Sequence, residues 1–400
     1  MTSCDFAIVG GGVIGLAIAD AILAVAPDAK VVVLDKETEL AAHASGRNSG
    51  VIHSGFYYAP DSLKAQLTRR GNVLLHEFCA ERAIPVRGCG KVVVATDATQ
   101  LEALDALHAR AQLNDVPTEL VSEDELRRLE PLARTVDRAL WSPTTSVASP
   151  AGVVTALADR VRERGGEVRM GSAATGGGPG LLALGRDRLQ AKHVINAAGL
   201  QADRVARWFD MCDDYVMLPF VGLYWYANWA PGRLQRHVYP VPDSRNPFLG
   251  VHATVTVEGR VKIGPTAIPA LWRESYGGGH GFSPQDTADI LRAYPDFLRS
   301  KDHDVVGLFA SEFPKLSRRV MVARARALIP TIDQKDFREK GRPGVRAQLL
   351  HVPTRRLEMD FVVRGDKEST HILNAVSPGW TSSLAVAEYV VADMKSRRAL

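Results

Sequence analysis

Three glycines and one acidic residue near the start of the chain have the types and spacing of a dinucleotide-binding site. Gly10, Gly12 and Gly15 follow a short apolar run, and Asp35 comes twenty residues after the last of them. The first glycine allows a tight turn, the second lets the backbone approach a pyrophosphate, and the third lets a helix pack closely on a strand. Asp35 can accept hydrogen bonds from a ribose diol. The spacing therefore predicts a site for NAD or FAD.

The apolar pattern around these residues supplies the elements that must position them. Residues 6–9 are typical of a strand, residues 16–25 of a helix, and residues 30–34 of a second strand that ends at Asp35. Such a unit places the free N–H groups of the helix N-terminus at the pyrophosphate. We therefore predict a Rossmann-like domain in a chain of the α/β class.

Residues 215–264 contain a series of short segments with the composition of β-strands. These segments are rich in Val, Tyr, Trp and Phe and are separated by turn residues, which predicts an antiparallel sheet. We predict an α+β protein overall, with a Rossmann-like cofactor domain made of residues 1–85, 145–214 and 341–400. A discontinuous second domain, residues 86–144 and 215–340, is built on the antiparallel sheet and binds the substrate.

Composition and charge argue against several classes of protein. The chain has 400 residues and a net charge of only +4, without the clustered basic residues of a nucleic-acid-binding protein. The first strand begins within six residues of Met1, and the longest apolar run is too short to span a bilayer. We expect a cytoplasmic protein without a metal site or a disulfide framework, because its four cysteines are scattered: Cys4, Cys79, Cys89 and Cys212.

A second segment distinguishes between the two cofactors. Residues 193–199, H-V-I-N-A-A-G, predict a strand that ends in a turn of small residues. Residues 194–206 resemble the FAD-dependent oxidoreductases of the D-amino-acid oxidase superfamily, in which this strand and its glycine contact FAD. The resemblance implies FAD. The alternative is a second Rossmann-like strand without a cofactor contact.

Longer motifs resemble the L-2-hydroxyglutarate dehydrogenase/oxidase family. They are residues 48–58 (N-S-G-V-I-H-S-G-F-Y-Y), 239–245, 248–252, 264–265 with 273–274, 344–348 and 374–383. The resemblance covers nearly the whole chain. It implies oxidation of the C2 hydroxyl of a small anionic 2-hydroxy acid, with L-2-hydroxyglutarate first, to the 2-oxo acid by hydride transfer to flavin N5. Oxygen or a quinone is the implied electron acceptor.

The resemblance also implies which residues contact FAD. Besides the three glycines and Asp35, they are Val13, Ile14, Lys36, Arg47, Asn48, Ser49, Val51, Ala198, Gly199, Gly379, Trp380, Thr381 and Ser382. By analogy with the superfamily, the N-terminus of the last helix faces the pyrimidine edge of the flavin. There its dipole stabilises the negative charge of the reduced flavin.

Oxidation of a 2-hydroxy acid needs a neutral base and a cation for the carboxylate. His53, in the loop that the resemblance places over the flavin, is the first candidate for the base, and His252 is its rival. A His53 that only packs on the flavin, or is covalently attached to it, is the alternative. Arg273 is the first choice for the carboxylate and Arg346 the second. The candidate hydrogen-bond donors to the substrate are Tyr58, Tyr239 and Tyr276.

Two positions depart from the family pattern. Val221 stands where the family usually has an arginine, and Gly379-Trp380 stand where it has small alanines. These departures leave the contact of the distal carboxylate open, so a different 2-hydroxy acid is an alternative substrate. Two further alternatives are an amine oxidase of the same fold, for glycine, sarcosine or D-amino acids, and a flavin-binding protein without turnover.

A basic segment near residue 320 bears on contact with a membrane. Residues 312–327 predict one helix, in which four arginines alternate with small apolar residues: Arg318, Arg319, Arg324 and Arg326. Such a helix could dock on an anionic membrane surface, peripheral to the inner membrane, to reach a quinone. The alternative is the solvated basic face of a packed helix.

Overall fold

The computed structural model describes residues 2–243, 246–279, 281–300 and 304–400. Ser244 and Arg245, at the end of one family motif, lie outside these residues. The α-helices are α1 (Val13–Val25), α2 (Leu63–Glu81), α3 (Leu101–Leu113), α4 (Glu123–Leu129), α5 (Pro150–Glu163), α6 (Ala202–Arg207), α7 (Pro284–Leu298), α8 (Val305–Glu312), α9 (Arg318–Arg326) and α10 (Ser383–Ser396). Short 3-10 turns cover Ala98–Gln100, Gly199–Gln201, Phe313–Leu316 and Gln334–Asp336.

The strands form two large sheets and two small ones. In chain order they are β1 (Thr2–Val9), β2 (Val31–Leu34), β3 (Val51–Ile52), β4 (Val86–Arg87), β5 (Lys91–Val94), β6 (Glu119–Ser122), β7 (Arg138–Ser142), β8 (Ser146–Ala148), β9 (Glu167–Arg169), β10 (Gly176–Gly178), β11 (Leu181–Leu184) and β12 (Asp187–Asn196). They continue with β13 (Tyr215–Gly222), β14 (Trp225–Ala227), β15 (His237–Pro240), β16 (His252–Val255), β17 (Val261–Gly264), β18 (Ile268–Pro269), β19 (Phe337–Lys340), β20 (Gly344–His351), β21 (Arg356–Leu357), β22 (Val363–Gly365) and β23 (Ser369–Ile372).

The first large sheet carries the glycine motif. Its parallel core has the order β9-β2-β1-β12-β23, and β10, β11 and β22 add antiparallel pairs. Alternate residues of β1 and β2 face opposite ways: Ile8 and Val33 pack on α1, α5 and α10, whereas Ala7 and Val32 pack on the side of α6. Burial on both faces explains why these strands are continuous apolar runs in the sequence.

The second large sheet has the order β19-β14-β17-β16-β15-β5-β7-β6. Its strands pair in antiparallel fashion except β15 with β5, which are parallel. The sheet joins strands from residues 86–144 with strands from residues 215–340. The fold class predicted from the sequence, a Rossmann-like domain with an antiparallel second sheet, is confirmed.

A four-stranded sheet, β18-β13-β20-β21, and a small sheet, β3-β8-β4, complete the fold. β20 pairs along its whole length with β13, from Gly344 opposite Gly222 to His351 opposite Tyr215. Although the sequence assigned residues 341–400 to the cofactor domain, β20 therefore hydrogen-bonds to a strand of the second one. The domain boundaries stay a prediction.

The basic segment is not one helix. Pro314 lacks a backbone N–H and opens a 3-10 turn after α8, and Ser317 is extended before α9 begins. The apolar residues of α9, including Met321, Val322 and Ala325, are buried against the second large sheet. These three apolar residues are therefore not available to a membrane surface, and the membrane contact of the basic segment stays a prediction. In the described ranges, the helices are too short or too polar to cross a bilayer.

Candidate active site

A cleft with about 1720 Å³ of empty space, part of it open to solvent, is lined by residues from both large sheets and from β20. It brings together most of the residues singled out in the sequence. Those that line it are Gly10, Gly12, Val13, Ile14, Asp35, Lys36, Arg47, Asn48, Ser49, Val51, His53, Ala198, Gly199, Tyr239, His252, Arg346, Gly379, Trp380 and Thr381. The lining does not include Gly15, Tyr58, Arg273, Tyr276 and Ser382.

The glycine turn at one end of the cleft has no room for side chains. Gly10 has a φ of +111°, and a Cβ there would lie 2.3 Å from the carbonyl oxygen of Ala197, at the end of β12. A Cβ on Gly15 would lie 2.0 Å from the carbonyl oxygen of Gly10, so this residue allows close packing of α1 rather than a cleft contact. The carboxylate of Asp35 accepts a hydrogen bond from the N–H of Gly11 at 2.8 Å. This cradle and the neighbouring N-terminus of α1 fit the diphosphate and ribose of FAD.

Strand β3 and the residue after it are bonded to the segment before α10. The Thr381 hydroxyl accepts a hydrogen bond from the N–H of His53 and donates one to the carbonyl of Val51, both at 3.1 Å. α10 has no acidic residue in its first turn and no side-chain cap, so its positive dipole end is not neutralised there. Ser382 points away from the cleft, since its hydroxyl lies 3.2 Å from that of Thr68. These features fit an anionic edge of a flavin beside His53.

One face of the second large sheet is polar although it is buried. On the cleft side, every second position along β5, β15, β16 and β17 carries mainly polar side chains: Lys91, His237, Tyr239, His252, Thr254 and Lys262. The opposite face, with Val92, Val238 and Ile263, packs in the core. Buried polar side chains lower stability unless they are paired. Such a face indicates a binding site.

His53 is held by its backbone, and its ring is free. Its N–H binds Thr381 and its carbonyl accepts a hydrogen bond from the side chain of Asn72 at 3.1 Å. The ring nitrogen Nδ1 is buried without a partner among the described residues. Burial lowers the pKa of His53 well below its usual value, and the charge of Lys91 lowers it further. His53 therefore presents a neutral imidazole to the cleft.

His252 is held more tightly. Its ring stacks on that of Tyr239 with 3.8 Å between centroids, and its Nδ1 lies 2.8 Å from the carbonyl of Gly250. A carbonyl only accepts, so Nδ1 carries the proton and Nε2 has the lone pair. Burial lowers the pKa of His252 to about 3. Both candidate bases are therefore neutral.

Arg346 is the arginine that lines this part of the cleft. It lies on β20 opposite Phe220, and its guanidinium sits 5.1 Å from the ring centroid of Phe248. It forms no ion pair with a carboxylate in the described part of the chain. An unpaired, partly buried guanidinium is suited to a carboxylate ligand.

Arg273 has a different position from the one predicted. Its guanidinium is fully buried and binds both carboxylate oxygens of Asp203 and the carbonyl of Leu200. Burial alone would raise the pKa of Asp203, but Arg273 lowers it below its usual value. The predicted substrate contact of Arg273 is corrected to a structural ion pair. Two residues 70 positions apart form it, so the sequence carried no sign of it.

Replacing Arg273 by methionine is expected to lower the free energy of unfolding by about 3 kcal/mol, because the buried Asp203 carboxylate loses its main partner. Arg292→Met is the matched control. Its side chain is 76% exposed and its ion pair with Asp289 contributes less than about 1 kcal/mol. Urea unfolding of the FAD-loaded protein measures both variants. Equal losses would contradict the structural role of Arg273.

Tyr276 and Tyr58 also lie outside the cleft lining. The hydroxyl of Tyr276 is 2.9 Å from Nδ1 of His43, and the guanidinium of Arg47 lies 4.3 Å from its ring centroid. Tyr276 thus packs against the loop that follows β2. Tyr58 is near Lys64, whose ammonium is 6.0 Å from its ring centroid. The predicted contacts of both tyrosines with the substrate have no support in this geometry.

Sequence reasoning missed several residues of the site. Tyr224, Leu249 and Pro265 line the cleft, and Lys91 and Lys262 are buried behind it. A lysine at the edge of a valine run is not recognisable as a site residue, because strand pairing decides whether its side chain faces the site or the solvent. The sequence shows that Lys91, Val92 and Val93 alternate between the two faces of a strand, but it does not show which face is turned to the cleft.

The chain matches the family of FAD dependent oxidoreductases (DAO) over residues 5–393. It is similar to the L-2-hydroxyglutarate dehydrogenase of Salmonella houtenae, at 34% identity over 401 residues that cover 98% of this chain and 94% of the relative. It is also similar to the mitochondrial L-2-hydroxyglutarate dehydrogenase of Homo sapiens, at 33% identity over 419 residues, 99% of this chain and 89% of the relative.

Solved structures share the fold at lower identity. L-alpha-glycerophosphate oxidase from Mycoplasma pneumoniae, with FAD bound, superposes with a TM-score of 0.79 at 21% identity, covering 99% of this chain and 95% of that one. Glycine oxidase from Geobacillus kaustophilus has a TM-score of 0.73 at 18% identity, with the same coverage of 99% and 95%. These similarities support the fold.

Proposed function

The chain belongs to the FAD-dependent oxidoreductases of the DAO family, and within them to the L-2-hydroxyglutarate dehydrogenases; on this premise we propose that it oxidises the C2 hydroxyl of L-2-hydroxyglutarate, giving 2-oxoglutarate. The observation that carries the proposal is a single cleft that joins the glycine turn to a neutral imidazole and an unpaired guanidinium. These are the base and the cation that oxidation of a 2-hydroxy acid requires.

Backbone groups would hold the diphosphate of FAD, and an acidic side chain its ribose. Gly10, Gly12 and the N-terminus of α1 would bind the diphosphate, Asp35 the ribose, and the N-terminus of α10 the flavin end. When bound, FAD accepts the two electrons that leave the C2 carbon of the substrate. His53 takes the hydroxyl proton and Arg346 binds the C1 carboxylate.

The charges around the cleft support an anionic substrate over an amine. The carboxylates that line it are Asp35, which binds backbone N–H groups, and Glu274, which pairs with Lys36. Beside His53 the charged side chains among the described residues are cations, Arg346 and the buried Lys91. A protonated amine would meet no counter-charge there. This electrostatic pattern disfavours the amine-oxidase alternative.

The proposal is tested by mixing the FAD-loaded protein anaerobically with L-2-hydroxyglutarate. Loss of the visible flavin absorbance is expected. D-2-hydroxyglutarate is the stereochemical control, and glycine, sarcosine and a D-amino acid test the amine alternative. If an amino acid bleaches the flavin and L-2-hydroxyglutarate does not, the proposed bond is the wrong one. If none of them bleaches it, a flavin-binding protein without turnover is the better account.

Oxygen or a quinone is the proposed acceptor, in a cytoplasmic enzyme. The four cysteines are all free and buried, in keeping with a reducing compartment. The reduced protein, mixed with aerated buffer or with a soluble quinone, identifies the acceptor by the faster return of flavin absorbance. A rate in air far below turnover would eliminate oxygen.

A further inference from the structure

Lys91 is a buried lysine in a box of aromatic rings. It begins β5, and its side chain has no exposed surface. The ammonium lies 4.9 Å from the ring centroid of Phe56 and 4.7 Å from those of Tyr57 and Tyr239. It has no hydrogen-bond partner among the described residues. Ring faces stabilise a cation only in part, and a buried charge without a counter-charge lowers stability.

The titratable groups around Lys91 come from every element that packs on it. They are Cys89 beside its own strand, His53 and Tyr57 from the loop before α2, His237 and Tyr239 from β15, and His252 from β16. On the other side, β7 places the uncharged Ser142 opposite Lys91.

These six neighbours are neutral at pH 7. Burial raises the pKa of Cys89 to about 11 and lowers the pKa of His237 and of His252 to about 3. The same cause lowers the pKa of His53 and raises the pKa of both tyrosines. The ammonium is therefore the single charge in this cluster. Burial lowers the pKa of Lys91 itself to about 7, so its charge changes near neutral pH.

One ring separates this charge from the cleft. His252 covers one face of Tyr239 at 3.8 Å, so the ammonium lies over the other face. Both rings line the cleft. A negative charge bound beside them interacts with Lys91 through a region of low dielectric, where electrostatic interactions are strong.

We propose that Lys91 is a positioning residue that balances the charge of the bound anion through Tyr239, so that the anion and one proton on Lys91 bind together. The inference rests on the proposed function, because it requires an anionic ligand in this cleft. It also explains how a buried lysine can lie among aromatic rings without a counter-charge in the protein: the bound ligand supplies the negative charge.

The linkage has a definite sign. A bound anion stabilises the ammonium and raises the pKa of Lys91, so the protein takes up a proton on binding, and affinity falls as pH rises above 7. At pH 8 a group with a pKa of about 7 is about nine-tenths deprotonated, so uptake approaches one proton per site. The dissociation constant should rise between pH 7 and pH 9, by at most about tenfold per pH unit because one proton is linked to binding.

The test is isothermal titration calorimetry of the oxidised, FAD-loaded protein with 2-oxoglutarate at pH 8, in HEPES and in Tris. The difference between the two heats gives the number of protons taken up. Lys91→Met should take up about one proton fewer than the wild type and bind at least tenfold more weakly at pH 7. Lys192→Met is the matched control, because the Lys192 side chain is 83% exposed and should bind as the wild type does.

Thermal stability separates this role from a purely structural one. Lys91→Met removes a buried, unpaired charge and should raise the Tm of the FAD-loaded protein, whereas loss of a structural lysine would lower it. Lys91→Gln, of similar length and without charge, is the second variant if the first does not fold.

Three results overturn the inference. One is equal proton uptake by the wild type and Lys91→Met, and another is equal affinity of the two at pH 7. If the wild type does not bind 2-oxoglutarate at all, the proposed function fails and the inference fails with it. That outcome is distinct from binding without proton uptake, which overturns the role of Lys91 alone.

Discussion

His53→Ala is expected to lower the rate of flavin reduction by L-2-hydroxyglutarate about 1000-fold while FAD stays bound. The imidazole is the partly exposed neutral base in the cleft, and its Nδ1 has no partner among the described residues. The links of this residue to Thr381 and Asn72 are made by its backbone, so alanine keeps them. Anaerobic stopped-flow measurement of the flavin absorbance gives the rate.

His252→Ala is the comparison that decides between the two candidate bases. His252 is buried and its ring stacks on Tyr239, whereas the ring of His53 is partly exposed in the cleft. A smaller loss of rate is expected, with a rise in KM as Tyr239 loses its support. If His252→Ala loses the reductive step and His53→Ala retains it, the base is His252.

The pH dependence follows from the direction of the His53 shift. A lowered pKa keeps the imidazole deprotonated through the usual histidine range around pH 6.5. The rate of flavin reduction at saturating substrate should therefore be flat from pH 8 down to pH 6. A fall centred near pH 6.5 would mean that His53 titrates normally and that the burial argument is wrong.

Arg346→Met is expected to raise KM for L-2-hydroxyglutarate about 100-fold, with a smaller effect on kcat. The guanidinium lines the cleft over Phe248 and has no carboxylate partner among the described residues, so a substrate carboxylate is its natural ligand. Steady-state kinetics with a saturating acceptor measure both constants. Arg346→Lys keeps the charge but not the two-pronged geometry, and an intermediate KM is expected.

Arg273→Met is the control with opposite behaviour. It should lower stability and leave KM within about twofold of the wild type, whereas Arg346→Met should leave stability nearly unchanged. From the sequence alone, Arg273 was the first choice for the substrate carboxylate and Arg346 the second, so this expectation reverses their order. A large rise in KM for Arg273→Met, with none for Arg346→Met, would restore that order.

The chain near residue 10 could be predicted because its signal is local. Gly10, Gly12, Gly15 and Asp35 lie within one βαβ unit, in which Gly15 approaches the backbone of Gly10 and Gly10 approaches the end of β12. The resemblance supplied the further FAD-binding segments, most of which line the cleft. Ser382 is an exception, since its side chain turns to α2.

Interactions between distant residues decided what the sequence did not reveal. The break before α9 involves Pro314 and Ser317, but the burial of Met321 depends on a sheet formed by strands far along the chain. Likewise, no local pattern shows that β20 pairs with β13. A local sequence pattern indicates whether a segment is a helix or a strand, but its neighbours in the fold depend on pairing with distant segments.

The sequence alone determined the cofactor loop, the fold class and the chemistry, because these depend on residue types at short spacings and on motifs spread over the chain. Only the tertiary structure decided which arginine is free and which lysine is trapped. Arg273 forms a buried ion pair with Asp203, whereas the guanidinium of Arg346 faces the cleft. The register of β5 places the ammonium of Lys91 among the aromatic rings. The availability of a charge depends on what lies next to it in space, and no local pattern records that.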